Sequence, residues 1–294
     1  MVIAMAGFTF NDALTKLAGL HISPAQIMLV RGVFATTLVG FLIWQQGAWR
    51  PLRSVLIPSV VIRVAAEVLS TFTFLTSLMH LPLANATSIM QALPLAITMG
   101  AALFLHEPVG WRRWSAVLVG FIGVLIVVRP GFEGFNSYAL LTLLAVVLCT
   151  VRDLSTSRVP KSIPSITLSF LSSVAVTISG AIALIPFGGW KPMVAQDTAV
   201  LGIASVAVLI GYQFASTAVR TGEMSAVAPF RYTALLWSIA LTILVFDVYP
   251  DPPMMVGALV IVLSGIYALW RERQISKTKP ATKATGPAMA PDGL

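Results

Sequence analysis

Charge is scarce in this chain: only 10% of its 294 residues are Asp, Glu, Lys or Arg, against 57% hydrophobic residues. Soluble domains carry roughly one quarter charged residues, so a water-facing globule is excluded at the outset. Cysteine is nearly absent. The one example, Cys149, lies in an apolar run, so there is no thiol set for a disulfide framework, a zinc site or an iron–sulfur cluster. Histidine is also rare, and His21, His80 and His106 all fall at expected helix ends. The net charge of +8 does not indicate nucleic acid, because the cations are scattered between apolar runs and never gather on a solvated face. Several motifs are missing as well. No G-x-x-x-x-G-K-[ST] occurs, so nucleotide hydrolysis has no cradle. His106-Glu107 is followed by Pro108, not by the spacing of a zinc protease, and there is no G-x-S-x-G. No cofactor, metal or catalytic constellation is expected.

What is present is a series of long apolar runs. Ten spans of roughly 20 residues would occupy about 200 positions, which this composition supplies. The breaks place helices at about 1–20, 24–45, 57–79, 82–105, 111–128, 137–157, 165–187, 198–219, 225–246 and 252–271. Turn chemistry marks the joints: Ser23-Pro24, His80 to Pro82, Arg129-Pro130-Gly131, Pro160 to Pro164 and Asp247 to Pro253. The first span carries Asp12 and Lys16 and has no A-x-A-like cleavage site, so it reads as a retained helix. Residues 275–294, rich in Lys, Thr, Pro, Ala and Gly, read as a disordered tail.

Cation placement then gives sidedness. With the N-terminus cytoplasmic, Arg50, Arg53, Arg112, Arg113, Arg158, Lys161, Arg220, Arg271, Arg273, Lys277, Lys279 and Lys283 lie inside, and only Arg129 and Lys191 outside. Both termini are expected in the cytoplasm. Trp44, Trp49, Trp111, Trp114, Trp190 and Trp270 sit near span ends, as interface anchors do.

The chain also matches itself. A shift of 141 places Asp12 on Asp153 and Thr15 on Thr156; a shift of 142 places Pro108 on Pro250, Ala116 on Ala258, Gly123 on Gly265 and Arg129 on Arg271. Five spans per copy put the second copy in upside down, the inverted-repeat plan of many secondary transporters. The expected fold is an all-α polytopic membrane protein of ten transmembrane helices in two inverted five-helix repeats, 1–130 and 137–271.

Ionisable groups in hydrocarbon cost about 2.5–3.5 kcal/mol each, so each needs a reason. Asp12 and Lys16 are four apart on one helical face and either neutralise each other or line a cavity. Arg31 and Arg63, near span ends, fit snorkelling or carbonyl contacts. Glu67 shares a face with Arg63, and is either a proton or cation acceptor or that arginine's partner. Arg152 and Asp153 are adjacent and point about 100° apart, so they are not expected to pair directly; Arg152 reads as a snorkelling anchor. Arg231 shares a stripe with Ser238 and Thr242, and Thr87, Gln91 and Thr98 form a neutral counterpart on the fourth span. Both stripes suit either a polar cavity or helix-to-helix hydrogen bonds. Gln91 falls opposite Tyr232 in the repeat. Tyr212, Tyr232 and Trp237 offer rings for stacking on a planar ligand. Pro94 and Pro229 mark hinges or freed carbonyls. Gly120-x-x-Gly123 reads as close helix packing or a homodimer contact.

Some of these residues carry a family resemblance. Asn11-Asp12-x-x-x-Lys16, Arg31, Arg63, the stretch Leu81-Pro82-Leu83-Ala84-Asn85-Ala86 with Pro94 and His106-Glu107, and Ala228-Pro229-Phe230-Arg231-Tyr232 together resemble EamA-type members of the drug/metabolite transporter superfamily. Many members carry a Glu after the ninth helix, where this chain has Asp247-Val248-Tyr249-Pro250. The resemblance implies a bacterial inner-membrane carrier that moves a small organic solute by alternating access. Within the superfamily it is most similar to riboflavin carriers and then to S-adenosylmethionine carriers. The implied substrate or coupling residues are Asp12, Lys16, Glu67, Gln91, Asp153, Tyr212, Arg231 and Tyr232. The expected partners are the solute, the lipid bilayer and a second copy of the chain. An intramembrane hydrolase using Asp12 and Asp153 is the remote alternative; the lack of charge rings or a filter-like glycine run argues against a channel.

Overall fold

The breaks in hydropathy become helix ends, and local chemistry explains most of them. The computed structural model describes residues 1–47, 55–106, 109–129, 136–160, 162–221 and 228–278, except the side chains of 46, 165, 212, 213, 215–221, 228, 229 and 272–278. The elements are α1 (Val2–Ala18), α2 (Pro24–Gln46), α3 (Pro58–His80), α4 (Leu83–Met90), α5 (Leu93–Phe104), α6 (Trp111–Val128), α7 (Tyr138–Ser157), α8 (Ser165–Leu184) and α9 (Ala195–Thr221), then a 3-10 turn (Ala228–Tyr232), α10 (Thr233–Phe246) and α11 (Pro252–Thr278). At the start of α2 the Ser23 hydroxyl accepts from the Gln26 amide at 3.3 Å and Pro24 opens the helix. Gly47, at φ 59°, closes it in the left-handed conformation that glycine adopts without a Cβ penalty. The Asp251 carboxylate caps α11 by accepting from the Met254 amide at 3.1 Å.

Counting α4 with α5, and the 3-10 turn with α10, the described residues form ten helical spans. Seven are long and apolar enough to cross a membrane, Ala195–Gly211 and Phe230–Phe246 are shorter apolar helices, and α1 has 17 residues. Large apolar side chains face outward along them, Leu118 on α6 and Leu244 on α10 among them, because lipid replaces water as their surroundings. The protein is a multi-pass, all-helical membrane protein.

Three expectations are corrected by the backbone. The fourth span is not one helix: it stops after Met90 and resumes at Leu93, with Pro94 in the first turn of the new segment, where its missing N–H costs nothing. The ninth span opens with the 3-10 turn that contains Pro229. At the other end of the chain α11 continues to Thr278, past the expected start of the tail at 275. Residues 279–294, together with Trp49, Arg50, Arg53, Glu107, Pro108, Pro130, Gly131 and Lys161, lie outside the described residues.

The packing has the symmetry of the repeat. The first span packs on the eighth, and its repeat equivalent, the sixth, packs on the third. Spans one and nine are in contact, as are their equivalents six and four; so are two and eight, and their equivalents seven and three. The second pairs with the seventh, the fourth with the ninth and the fifth with the tenth, each the other's equivalent. The most extensive of these contacts cross from one repeat to the other. Gly120 and Gly123 are used inside the chain: a Cβ on Gly123 would lie 2.9 Å from the Gly257 carbonyl oxygen of α11, and one on Gly120 would meet Leu95 and Ser264.

Candidate functional site

The polar side chains inside this apolar bundle collect in two clusters and a central seam. The first cluster joins α1 to α2. Asn11 Nδ2 donates to Asp12 Oδ1 at 2.9 Å, while Arg31 Nη1 donates to Asn11 Oδ1 at 3.4 Å and to Thr15 Oγ1 at 3.5 Å. Lys16 does not turn back to Asp12. Its ammonium donates to the carbonyls of Leu78 and Leu81, both at 2.5 Å, and stands 5.7 Å above the Phe246 ring. The C-terminal end of α3 has unpaired carbonyls and the negative end of a helix dipole, and these outcompete a carboxylate one turn away on the same helix.

The second cluster joins α7 to α3 and α8. Arg152 Nε donates to Asp153 Oδ1 at 2.7 Å, and its Nη1 reaches Glu67 Oε2 at 3.4 Å. Arg63 does not pair with Glu67; it donates to Thr156 Oγ1 at 3.0 Å, to the Leu168 carbonyl at 3.2 Å and to Ser172 Oγ at 2.5 Å. Two expectations fall here. Neighbouring Arg152 and Asp153 do pair, because a guanidinium on a three-carbon stem swings around the helix far enough to cancel the 100° offset. For the same reason Arg152 is no snorkelling anchor: its side chain is mostly buried between two carboxylates.

The two clusters are equivalent under the repeat. The shift that places Asp12 on Asp153 and Thr15 on Thr156 also places Asn11 on Arg152. In each copy the first residue donates to the carboxylate that follows it, and an arginine from another helix donates to the threonine one turn on. They lie toward opposite ends of the bundle. The carbonyls held by Lys16 mark the end where α3 finishes and α7 begins, since Asn136 Nδ2 donates to the His80 carbonyl and Ser77 Oγ to that of Tyr138. Thr156, close to the end of α7, meets Arg63 in the first turns of α3, and Arg158 donates to the Phe104 carbonyl at the finish of α5.

Between the clusters the two broken spans meet. Gln91, the C-cap of α4, donates from Nε2 to the Arg231 carbonyl in the 3-10 turn at 3.3 Å. The buried Tyr232 Oη and Thr87 Oγ1 have no hydrogen-bond partner. A buried hydroxyl without a partner forfeits about 1–3 kcal/mol, so this seam holds unused hydrogen-bonding capacity. Tyr232 lies over Gly265 of α11 so closely that a Cβ there would stand 1.6 Å from its hydroxyl. Arg231 is exposed, whereas Ser238 and Thr242 are fully buried, and Thr242 Oγ1 accepts from the Ala84 amide at 3.0 Å. The expected stripe of Arg231, Ser238 and Thr242 therefore dissolves, because the 3-10 turn winds Arg231 out of α-helical register with α10. The break after Gln91 likewise separates Thr98 from Thr87, and Thr98 back-bonds to the Pro94 carbonyl.

The structure thus brings Asp153 and Glu67 to one arginine, places Gln91 against the Arg231 carbonyl beside Tyr232, leaves the Arg231 side chain exposed, and keeps Asp12 and Lys16 apart from those groups. The Tyr212 side chain lies outside the described residues. Among the described residues no three His, Cys, Asp or Glu side chains gather as metal ligands. The expected carbonyl contact is made by Arg63 with Leu168, but sequence reasoning missed the side-chain acceptors that Arg31 and Arg63 clamp. The signal that would have found half of them is the shift of 141: it leaves Thr15 and Thr156 as equivalent acceptors in search of donors.

Comparison with known proteins follows the same lines. The model of the EamA-like transporter family matches this chain twice, over residues 1–129 and 136–270. An S-adenosylmethionine uptake transporter of Rickettsia conorii is 26% identical over 200 residues, covering 67% of each chain. A riboflavin transporter of Vibrio cholerae is 25% identical over 268 residues, covering 90% of this chain and 89% of that one. A protein crystal structure superposes with a TM-score of 0.62 at 17% identity, over 93% of this chain and 98% of its own, and so shares the fold.

Proposed function

The chain belongs to the EamA-like transporter family, and from that premise we propose that it is a secondary carrier moving a small organic metabolite across the bacterial inner membrane by alternating access. The observation that carries this reading is the pair of equivalent polar clusters toward opposite ends of the bundle, with the seam of the two broken spans between them. A carrier needs a closure at each face and a polar station midway, and interrupted helices supply the station by freeing backbone groups. Gln91, Thr87 and Tyr232 form that station, with Arg231, exposed at its edge, as the charged anchor. Asp12 and Lys16 belong to one closure, Glu67 and Asp153 to the other, where a carboxylate that gains and releases a proton would couple transport to pH. We assign no catalytic residue.

Riboflavin is the first substrate we propose, with S-adenosylmethionine second, since relatives at similar identity are named for each. Both present a planar nitrogen heterocycle on a hydroxylated, sugar-derived group, a chemistry that amide and phenol groups recognise by hydrogen bonding and stacking. We propose that both termini are cytoplasmic, a reading the cation bias supports. Counterflow of labelled riboflavin and of labelled S-adenosylmethionine in proteoliposomes tests the substrate; saturable exchange of neither removes both. Arg231→Ala should raise the half-saturating concentration about tenfold or more, the worth of one charged hydrogen bond, with normal expression. Glu67→Gln should change the pH profile of transport; an unaltered profile and rate leave Glu67 as a structural partner of Arg152. Impermeant thiol labelling of Lys191→Cys in a Cys149→Ala background tests sidedness, and protection of that site in intact cells overturns it.

A further inference from the structure

The fifth and tenth spans, α6 and α11, pack against each other closely enough that Gly123 and Gly257 are in backbone contact. The repeat places Arg129, after α6, on Arg271, in α11, so the two ends of this helix pair are equivalent. They are finished differently. At one end Arg129 Nη2 stands 2.5 Å from Asp251 Oδ2, a closed ion pair. At the other end Arg271 lines a cavity of about 290 Å³ together with Gly110, Trp111, Arg112 and Arg113. The shift that carries Arg129 onto Arg271 carries Asp251 onto Val109, so the position equivalent to that carboxylate holds an apolar side chain. Among the described residues, no carboxylate stands within ion-pair distance of Arg112 or Arg271.

We propose that this cavity is a phosphate-binding site, filled by the headgroup of an anionic phospholipid or by free phosphate, in the place that Asp251 occupies at the opposite end. Guanidinium forks match phosphate oxygens in pairs, which makes arginine the side chain for this ligand. The cavity also adjoins the N-terminus of α6, whose cap Gly110 has no side chain to accept from the first-turn amides; those of Arg113 and Trp114 donate to the Gly110 carbonyl. Arg112 stacks 5.4 Å from the Trp111 ring, which limits its freedom and so the entropy lost on binding. Trp111 and Trp270 are exposed beside the cavity, as residues at headgroup depth are, and a basic pocket between spans at that depth suits an anionic lipid. The volume is at the small end of ligand pockets, enough for a headgroup and too little for a large metabolite. This site is independent of which solute the protein carries.

The test is the melting temperature of the purified full-length protein in neutral detergent, with phosphatidylglycerol, phosphatidylcholine, sodium phosphate or sodium chloride added. Phosphatidylglycerol should raise the wild-type value by about 3–8 °C, as a ligand well above its dissociation constant does for a chain of this size, and phosphatidylcholine should not. A rise with sodium phosphate beyond that with sodium chloride assigns the site to the free anion; a rise with phosphatidylglycerol alone assigns it to lipid. In Arg112→Gln/Arg271→Gln either response should drop to less than a third. Val109→Asp supplies the missing acid: it should melt higher than wild type without lipid and lose the lipid response, and it keeps the test decisive if the double variant misfolds. No response in the wild type, or an undiminished response in Val109→Asp, overturns the proposal.

Discussion

Two equivalent helix pairs, α3 with α7 and α1 with α9, make the same contact with opposite chemistry. Along α3 and α7 polar pairs recur among apolar residues such as Leu78 and Val146. Arg63 meets Thr156, Glu67 meets Arg152, Ser77 shares a 2.5 Å hydrogen bond with Thr142, and the His80 and Tyr138 rings stack at 3.8 Å. Along α1 and α9 the contact is made by missing side chains. A Cβ on Gly7 would lie 2.9 Å from the Ala207 carbonyl oxygen, and one on Gly211 would lie 2.8 Å from the Phe8 ring. Small residues let backbones approach and gain van der Waals contact; hydrogen-bonded pairs gain direction and respond to ionisation. The repeats therefore share a backbone plan but not an energy function. Under the alternating access proposed above, an exchange of their conformations would trade a polar contact for a glycine contact, and the two states would differ in energy.

The largest effect that would break this comparison is expected at the glycine pair. Gly7→Leu puts a branched side chain where backbone from α9 already stands, and neither side can yield; the folded, monodisperse fraction in size-exclusion chromatography should fall to near zero. A normal profile would mean that α1 and α9 are not locked by proximity. Next in size is Arg152→Ala, which leaves Glu67 and Asp153 facing each other without their cation. We expect a loss of about 2 kcal/mol, discounted from the roughly 3–5 of a fully buried pair because Arg152 and Glu67 are about one fifth exposed and Asp153 about one third. Thermal stability in detergent should recover substantially in Arg152→Ala/Glu67→Ala, and failure to recover would show that Asp153 carries the penalty. The smallest effect belongs to Ser77→Ala, at about 0.6–1.5 kcal/mol. A double-mutant cycle with Thr142→Val should give a coupling of that order; zero coupling would make the polar face of α3 decoration.

How much of this was legible beforehand divides along the range of the interaction. Helix ends set by nearby residues were readable: Ser23-Pro24 opens α2, and the Trp111 and Val128 limits of α6 were anticipated to the residue. The break at Gln91 was not, although Pro94 marked its vicinity, because no glycine or proline sits at Gln91 or Ala92 and the fourth span's hydropathy runs on unbroken. Charged groups were found but paired wrongly. Spacing along one helix suggested Asp12 with Lys16 and Arg63 with Glu67, whereas the real partners lie 62 and 85 residues away. A long side chain in hydrocarbon takes whatever polar group the neighbouring helix offers, and helical periodicity holds no information about neighbours.

The dominance of contacts between repeats has a consequence for how the protein is made. The first five spans leave the ribosome and enter the bilayer before any of their main packing partners exist. Glu67 is inserted without Arg152, which follows 85 residues later. The Gly7 face of α1 waits longer, until α9 is synthesised. The nascent first half is thus a set of separately stable helices with open polar and glycine faces, and its tertiary structure is laid down by the second half. Chains cut between Arg129 and Asn136 should each insert but pack only when made together, so assembly within the membrane, not insertion into it, is the step at which a defective variant of this protein would be lost.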